Sequence, residues 1–468
     1  MLMKTKTYSA GRMFSFELKK LAVSRKNWAV IAVVCVTLFL FVAYNMQQEA
    51  AERKDTAAEC DFLVTWYGYK SDVYMDFYRQ FGGECLKAYS DISQKRAAYF
   101  EELAAALRNG DKSAVLHAKT SYYTAQASYG DWLSDYAGQS RLQEDLSEIP
   151  PELSSAIFTA LSPDYESFSY YSAQAAFYQN LEETGVVPVL SLHEMTGFHF
   201  LYRFITTLFP IVALIITFLL LSDSMSSEKD SGSYKFLLLQ PVSRAKIIAV
   251  KIAAGMIYAA AVILAAVLCA FLITGCANGF GSPEYPVLTD PDGYISFAAV
   301  PSTYNEDLSC MEYGGIYPSL NMQRDTGCSS FELHGDGLHL GISPYSSQGT
   351  FRLTAPSEEL GLMPIWLFLL SALPPLLFFF LLASSAAVCL SAFSYNGVLS
   401  LIVCALAGVC LIPLSKLSFS PFQTANCGLL AAGLGGQTVL SSILIALAAS
   451  VVLYFFTALC FKRKDIFC

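Results

Sequence analysis

Residues Ser222–Lys251 read SDSMSSEKDSGSYKFLLLQPVSRAKIIAVK. This short charged stretch separates two strongly apolar runs, Phe204–Leu221 and Ile247–Ile273. Each run is long enough to cross a hydrocarbon layer of about 30 Å as a helix. Two helices joined in this way form a hairpin whose tip leaves the bilayer, and the Pro-Val-Ser-Arg corner at 241–244 leads into the second of them. The rest of the chain reads as further spans placed around that tip.

Composition points the same way. Of the 468 residues 54% are hydrophobic, the mean hydropathy is +0.43, and the apolar residues fall in long blocks. This excludes an ordinary soluble protein. The fold class expected is mostly α, a polytopic membrane protein with six transmembrane helices at 28–45, 201–221, 247–274, 363–393, 398–414 and 438–461. A large α-helical extracellular domain (46–200) stands between helices 1 and 2. A smaller mixed or β extracellular insertion (275–362) stands between helices 3 and 4. The remaining pieces are a cytoplasmic amphipathic N-terminal segment (1–27), the cytoplasmic loop 222–246, a short external loop with re-entrant character (415–437) and a cytoplasmic tail (462–468).

Charge sets the orientation. The first 27 residues carry seven bases and one acid, Glu17. Met46–Phe200 carries 23 acids and 11 bases, and Gly275–Leu362 carries 11 acids and two bases. Bases gather on the cytoplasmic side of membrane proteins. Both termini and the charged tip therefore belong inside and both insertions outside. Trp28–Tyr44 is a retained signal anchor, since YNMQQEAAERK after it is no small-residue cleavage site. The balance is an asymmetry between membrane faces rather than a nucleic-acid footprint.

Within the large insertion, Ile92–Leu107 and Ser113–Tyr129 carry helical patterns and Asn109-Gly110-Asp111 marks the turn between them. Its many Tyr and Phe residues suit a helical core, and they also suit a surface for amphipathic ligands. In the fourth span, Pro374-Pro375 removes two helix donors, so a kink or break is expected there. Cys60 with Cys85, and Cys310 with Cys328, are the disulfides expected in an oxidising compartment. The pairs His193/His199 and His334/His339 lack metal-site spacing, so no metal is expected. There is no GxxxxGK[ST] loop and no GxSxG elbow. Ser226 and Lys229 share an SxxK spacing without companion motifs. The chain is not expected to be an enzyme or to bind a cofactor itself. Asp and Glu are missing from the middle of the spans, which weighs against an ion-coupled carrier.

The tip resembles the cytoplasmic loop of type-2 ATP-binding-cassette (ABC) exporter permeases. The matching residues are Glu228, Gly232, Pro241, Ser243, Arg244 and Lys251, with Lys229 and Ser233 as mild departures. The resemblance implies a permease subunit of an ABC transporter, an exporter in a bacterial plasma membrane. Its partners would be a separate ABC ATPase subunit that binds ATP and Mg, a second permease copy or a paralogue, and membrane lipid, with no nucleic acid. Ser233–Leu239 would be the coupling helix, Glu228 a charged contact to the ATPase, Gly232 the bend and Pro241 the terminator. The alternatives are a membrane-anchored sensor or assembly protein with ligand-binding external domains, and an ATP-independent secondary transporter.

Overall fold

Helix-forming residues carry the chain well past the end of its first apolar run. In the computed structural model, α1 (Ala10–Val23) is followed after one residue by α2 (Arg25–Phe81), which continues unbroken through QQEAAERK. Gln, Glu, Ala, Arg and Lys are good helix formers, α2 holds no proline, and its one glycine, Gly68, is carried within the helix, which ends at Gly82-Gly83. The sequence boundary at 45 is thus a change of composition and not of secondary structure. The structure describes residues 10–138, 168–191, 193–233, 242–288, 295–300, 303–305, 310–312, 315–320, 331–333, 351–353, 362–417, 419–433 and 438–463. The chain divides into two units: 1–44, 195–281 and 365–468 form one, and 45–194 and 282–364 the other.

The first unit is helical. After α1 and the start of α2 come α6 (Gly197–Arg203), a π-helical turn (Phe204–Leu208), α7 (Phe209–Leu221), α8 (Ser226–Asp230) and α9 (Arg244–Asn278). Then follow α10 (Ile365–Phe393), α11 (Gly397–Ser415), a 3-10 turn (Pro421–Asn426), α12 (Cys427–Ala431) and α13 (Val439–Arg463). Six helical stretches among the described residues are long and apolar enough to cross a membrane, as expected. The π turn sits where Pro210 withholds a donor, and the Phe209 amide reaches back five residues to the Phe204 carbonyl.

α7 and α10 hold the core of this unit. Phe209, Leu214, Phe218, Leu220, Phe368, Phe379 and Phe380 are all buried. Phe209 meets Phe379 edge to face at 5.6 Å, and Tyr202 lies 5.3 Å from Phe368. A Cβ at Gly408 of α11 would stand 3.1 Å from the Ile215 Cα, so glycine sets how closely α11 approaches α7. The described part of the loop between α11 and α13 is packed in: Gln423, Thr424, Ala425, Asn426 and Cys427 are buried among α10, α11 and α13. The apolar faces left exposed, such as Leu264, Leu268 and Leu272 on α9, are what lipid or another apolar surface requires.

Two expectations for this unit are corrected. Of the kink or break expected in the fourth span, the break is absent: α10 runs through Pro374-Pro375 as one helix, since proline's fixed φ of about −65° is itself helical. The N-terminal segment does more than lie in an interface. α1 packs on α9, with Met13, Glu17 and Leu21 buried and Phe16 exposed.

In the second unit, the rest of α2 joins α3 (Glu84–Asn109), α4 (Lys112–Gly138) and α5 (Phe168–Thr184). The predicted turn is present. Gly110 ends α3 in the left-handed region (φ 68°), and the Asp111 carboxylate accepts from the Ser113 and Ala114 amides to start α4. Ala57, Cys60, Leu103, Ala104, Leu107 and Val115 form one core cluster. Much of the aromatic content stacks inside: Tyr67 on Phe100 at 5.7 Å, Tyr99 on Tyr122 at 3.9 Å, Tyr123 on Tyr178 at 5.4 Å. Of the two readings of these aromatics, the helical core accounts for these rings.

The second insertion contributes short strands, as expected. Among the described residues β1 (Pro286–Leu288) pairs with β8 (Leu362–Pro364), and β2 (Ile295–Val300) with β5 (Gly315–Leu320). β3 (Thr303–Asn305) pairs with β4 (Cys310–Glu312), and β6 (Phe331–Leu333) with β7 (Phe351–Leu353). All four pairs are antiparallel. The Cys60–Cys85 disulfide is not formed. Cys60 is a buried free thiol in the middle of α2, whereas Cys85 opens α3 beyond the end of that helix. At 1.5 Å per residue, the helix from Cys60 to Phe81 carries the chain about 30 Å, far beyond disulfide reach. Cys328, His334 and His339 lie outside the described residues.

Candidate functional site at the charged turn

After Leu221 the chain leaves α7 in a run of tight turns, forms α8 (one turn and a half), and bends at Gly232 with φ +70°, a conformation that favours glycine. Ser243 caps α9 by accepting the Lys246 amide at 3.4 Å. The segment 234–241, with Pro241 and most of the expected coupling helix, lies outside the described residues.

The side chains of this turn face inward. Lys251, two turns into α9, is 2% exposed. Its Nζ donates to Glu17 Oε1 at 2.8 Å, to Glu228 Oε1 at 2.7 Å and to the Ser224 carbonyl at 3.1 Å. Lys20 Nζ donates to the same Glu228 oxygen at 2.7 Å. Two carboxylates and two ammonium groups thus close a neutral cluster that joins α1, α8 and α9. Neutrality matters here, because a buried unpaired charge is expensive while a matched set is tolerated.

More bonds tie the turn to its neighbours. Lys26 Nζ reaches Asp223 Oδ1 at 2.5 Å and Ser222 Oγ at 3.0 Å. Ser391 Oγ, on α10, accepts from the Met225 and Ser226 amides at 3.0 and 3.2 Å, supplying the start of α8. Lys229 Nζ donates to the Ala392 and Ser394 carbonyls at 2.6 and 2.8 Å, where a cation complements the end of α10. Asp230 Oδ2 accepts from the Gly397 amide at 2.7 Å, complementing the start of α11. Arg244 Nη1 donates to the Phe461 carbonyl of α13 at 3.0 Å. Ser226 Oγ donates to the Ser222 carbonyl and Lys229 is engaged elsewhere, so the SxxK spacing has a structural role.

The family model described as ABC-2 family transporter protein matches residues 14–283, which include most of α1, this turn and all of α9. The chain belongs to the ABC-2 transporter family. It is a multi-pass membrane permease. No curated protein and no solved structure matches it.

Several of the permease's expected tip residues sit differently from the sequence reading. Glu228, expected as an outward charged contact, is 7% exposed and faces two lysines of its own chain. Lys251 and Lys229 are likewise held within the unit. Gly232 makes the expected bend and Ser243 the corner, while Ser233 is exposed, with its Oγ 2.8 Å from Ser231 Oγ. The outward residues of the turn are Asp230, Ser231, Gly232 and Ser233. Sequence reasoning missed Glu17, Lys20, Lys26, Asp223 and Ser391 as partners. One signal was available, because a lysine inside an apolar helix needs a carboxylate and Glu17 is the sole acid in the first 27 residues.

Proposed function

We propose that this permease is the membrane subunit of an ABC exporter, driven by a separate ATPase that binds ATP and Mg and docks at the charged turn. Both termini and the turn then face the cytoplasm and both insertions face outward, following the distribution of bases. Two copies, or this chain and a paralogue, would make the pathway.

The observation that carries this reading is the way the turn is stitched to the helices around it. Through Lys251, Ser391, Lys229, Asp230 and Arg244 it is bonded to α9, α10, α11 and α13. A load applied at Asp230–Ser233 by a moving ATPase would reach those spans together, as a change between two packed states requires. Glu228 and Lys251 act here as transmitting residues, and the docking surface is the exposed end of the turn with the segment that follows.

The test is co-purification of an ATPase with the tagged permease from detergent-solubilised native membranes. The wild type is set beside Ser231→Arg with Ser233→Arg, which alters the outer surface and replaces no member of the buried cluster. Capture by the wild type, and loss in a variant that inserts and melts normally, is the expected result. Equal capture by both would place docking elsewhere. No ATPase after mild cross-linking would favour an anchored sensor.

A further inference from the structure

α2 has two faces in the second unit. Ala57, Cys60, Tyr67 and Tyr74 turn into the helical core. On the other side, at steps of three and four residues, stand Asp55, Glu59, Phe62, Trp66 and Tyr69, and two turns further on Asp76, which is paired with Arg79; all are exposed. Phe62, Trp66 and Tyr69 are 64%, 44% and 63% exposed, and their rings follow one another at 6.4 Å spacings. Three large aromatics aligned on one exposed helix face mark a contact surface more than a core.

We propose that this strip docks a cationic amphipathic peptide. Two features choose the partner. Carboxylates bracket the rings at both ends, and the domain around them carries 23 acids against 11 bases. The ring faces also attract cations, as Lys70 Nζ already lies 5.3 Å from the Trp66 centroid. A peptide with Lys or Arg beside apolar groups satisfies rings and carboxylates together. A second copy of the strip would set acid against acid. Lipid is disfavoured because four ionisable residues, Glu49, Glu52, Arg53 and Lys54, lie between the apolar run and the strip, and Asp55 and Glu59 stand on the strip itself. The inference is independent of the proposed function, since binding needs neither an ATPase nor transport.

The experiment uses the full-length permease in neutral maltoside micelles and two fluorescent probes, an amphipathic Lys/Leu helical peptide and its Glu/Leu counterpart. The Lys/Leu peptide is expected to bind the wild type saturably and to weaken with salt, and the Glu/Leu peptide to show no binding. Trp66→Ala with Tyr69→Ala is expected to weaken binding about tenfold. Asp55→Lys with Glu59→Lys is expected to weaken it and flatten its salt dependence. Trp66→Phe, which keeps a ring, should retain most of the affinity. Equal binding of the Lys/Leu peptide to the wild type and the Trp66/Tyr69 variant overturns the proposal. So does comparable binding of the Glu/Leu peptide, or a wild-type self-association that the ring variants abolish.

Discussion

Replacing Lys251 by Met tests whether the buried cluster is an electrostatic unit. The substitution keeps length and apolar bulk and removes one ammonium group that contacts Glu17 at 2.8 Å and Glu228 at 2.7 Å. Glu228 keeps Lys20, whereas Glu17 loses its bridge, and the cluster goes from neutral to one net negative charge. The side chains of Lys251 and Glu17 are 1% and 6% exposed, so solvent screens the imbalance little. Breaking a buried pair by removing one partner costs about 3–5 kcal/mol. For a unit of this size that lowers the melting temperature by about 10 °C. Adding Glu17→Leu restores neutrality, leaving Lys20 with Glu228, and is expected to recover most of the loss, because exchanging a whole buried pair for apolar groups is close to neutral. The assay is thermal unfolding of the four purified proteins of the cycle in detergent. If Lys251→Met melts with the wild type, or if the double variant is no better than the single, the cluster does not hold the turn through charge and the argument fails.

Three further outcomes are expected. Ser391→Ala leaves the Met225 and Ser226 amides unpaired in a buried place, and should lower stability by about 1–3 kcal/mol in the same melt, with Ser391→Thr milder. Lys119 sits beside the Tyr178 hydroxyl at 3.2 Å, and burial lowers its pKa to about 8, with Cys60 opposing. Between about 8 and the ordinary 10.5 the unfolded chain holds a proton that the folded one lacks, so stability should rise with pH in that window. Lys119→Met should remove the rise, as followed by the pH dependence of unfolding. Burial also raises the Cys60 thiol to about 11, so a maleimide at pH 7.5 should label it only after denaturation, and rapid labelling of the native protein would contradict its place in the core.

Some of this architecture can be read one residue at a time. Six apolar runs match six helices because hydrocarbon thickness sets their length. Asn109-Gly110-Asp111 gives its turn because a left-handed glycine and a carboxylate cap act locally. The end of span 1 was hidden, since Met46–Lys54 changes polarity without changing helix propensity. The disulfide expectation failed for the same reason: the sequence separation of Cys60 and Cys85 is short, and only the unbroken α2 makes it long in space.

The sequence by itself determined the membrane class, the family through the turn, and the presence of a lysine at 251 that an apolar helix does not tolerate alone. Tertiary structure decided its partners. Glu17 lies 234 residues away, and Glu228 sat in a stretch whose charges all looked equally fit to face outward. Charges in a polar turn carry no local pattern that sorts inward from outward. That sorting comes from where α1, α9 and α10 pack, and from the requirement that what they bury be neutral and hydrogen-bonded.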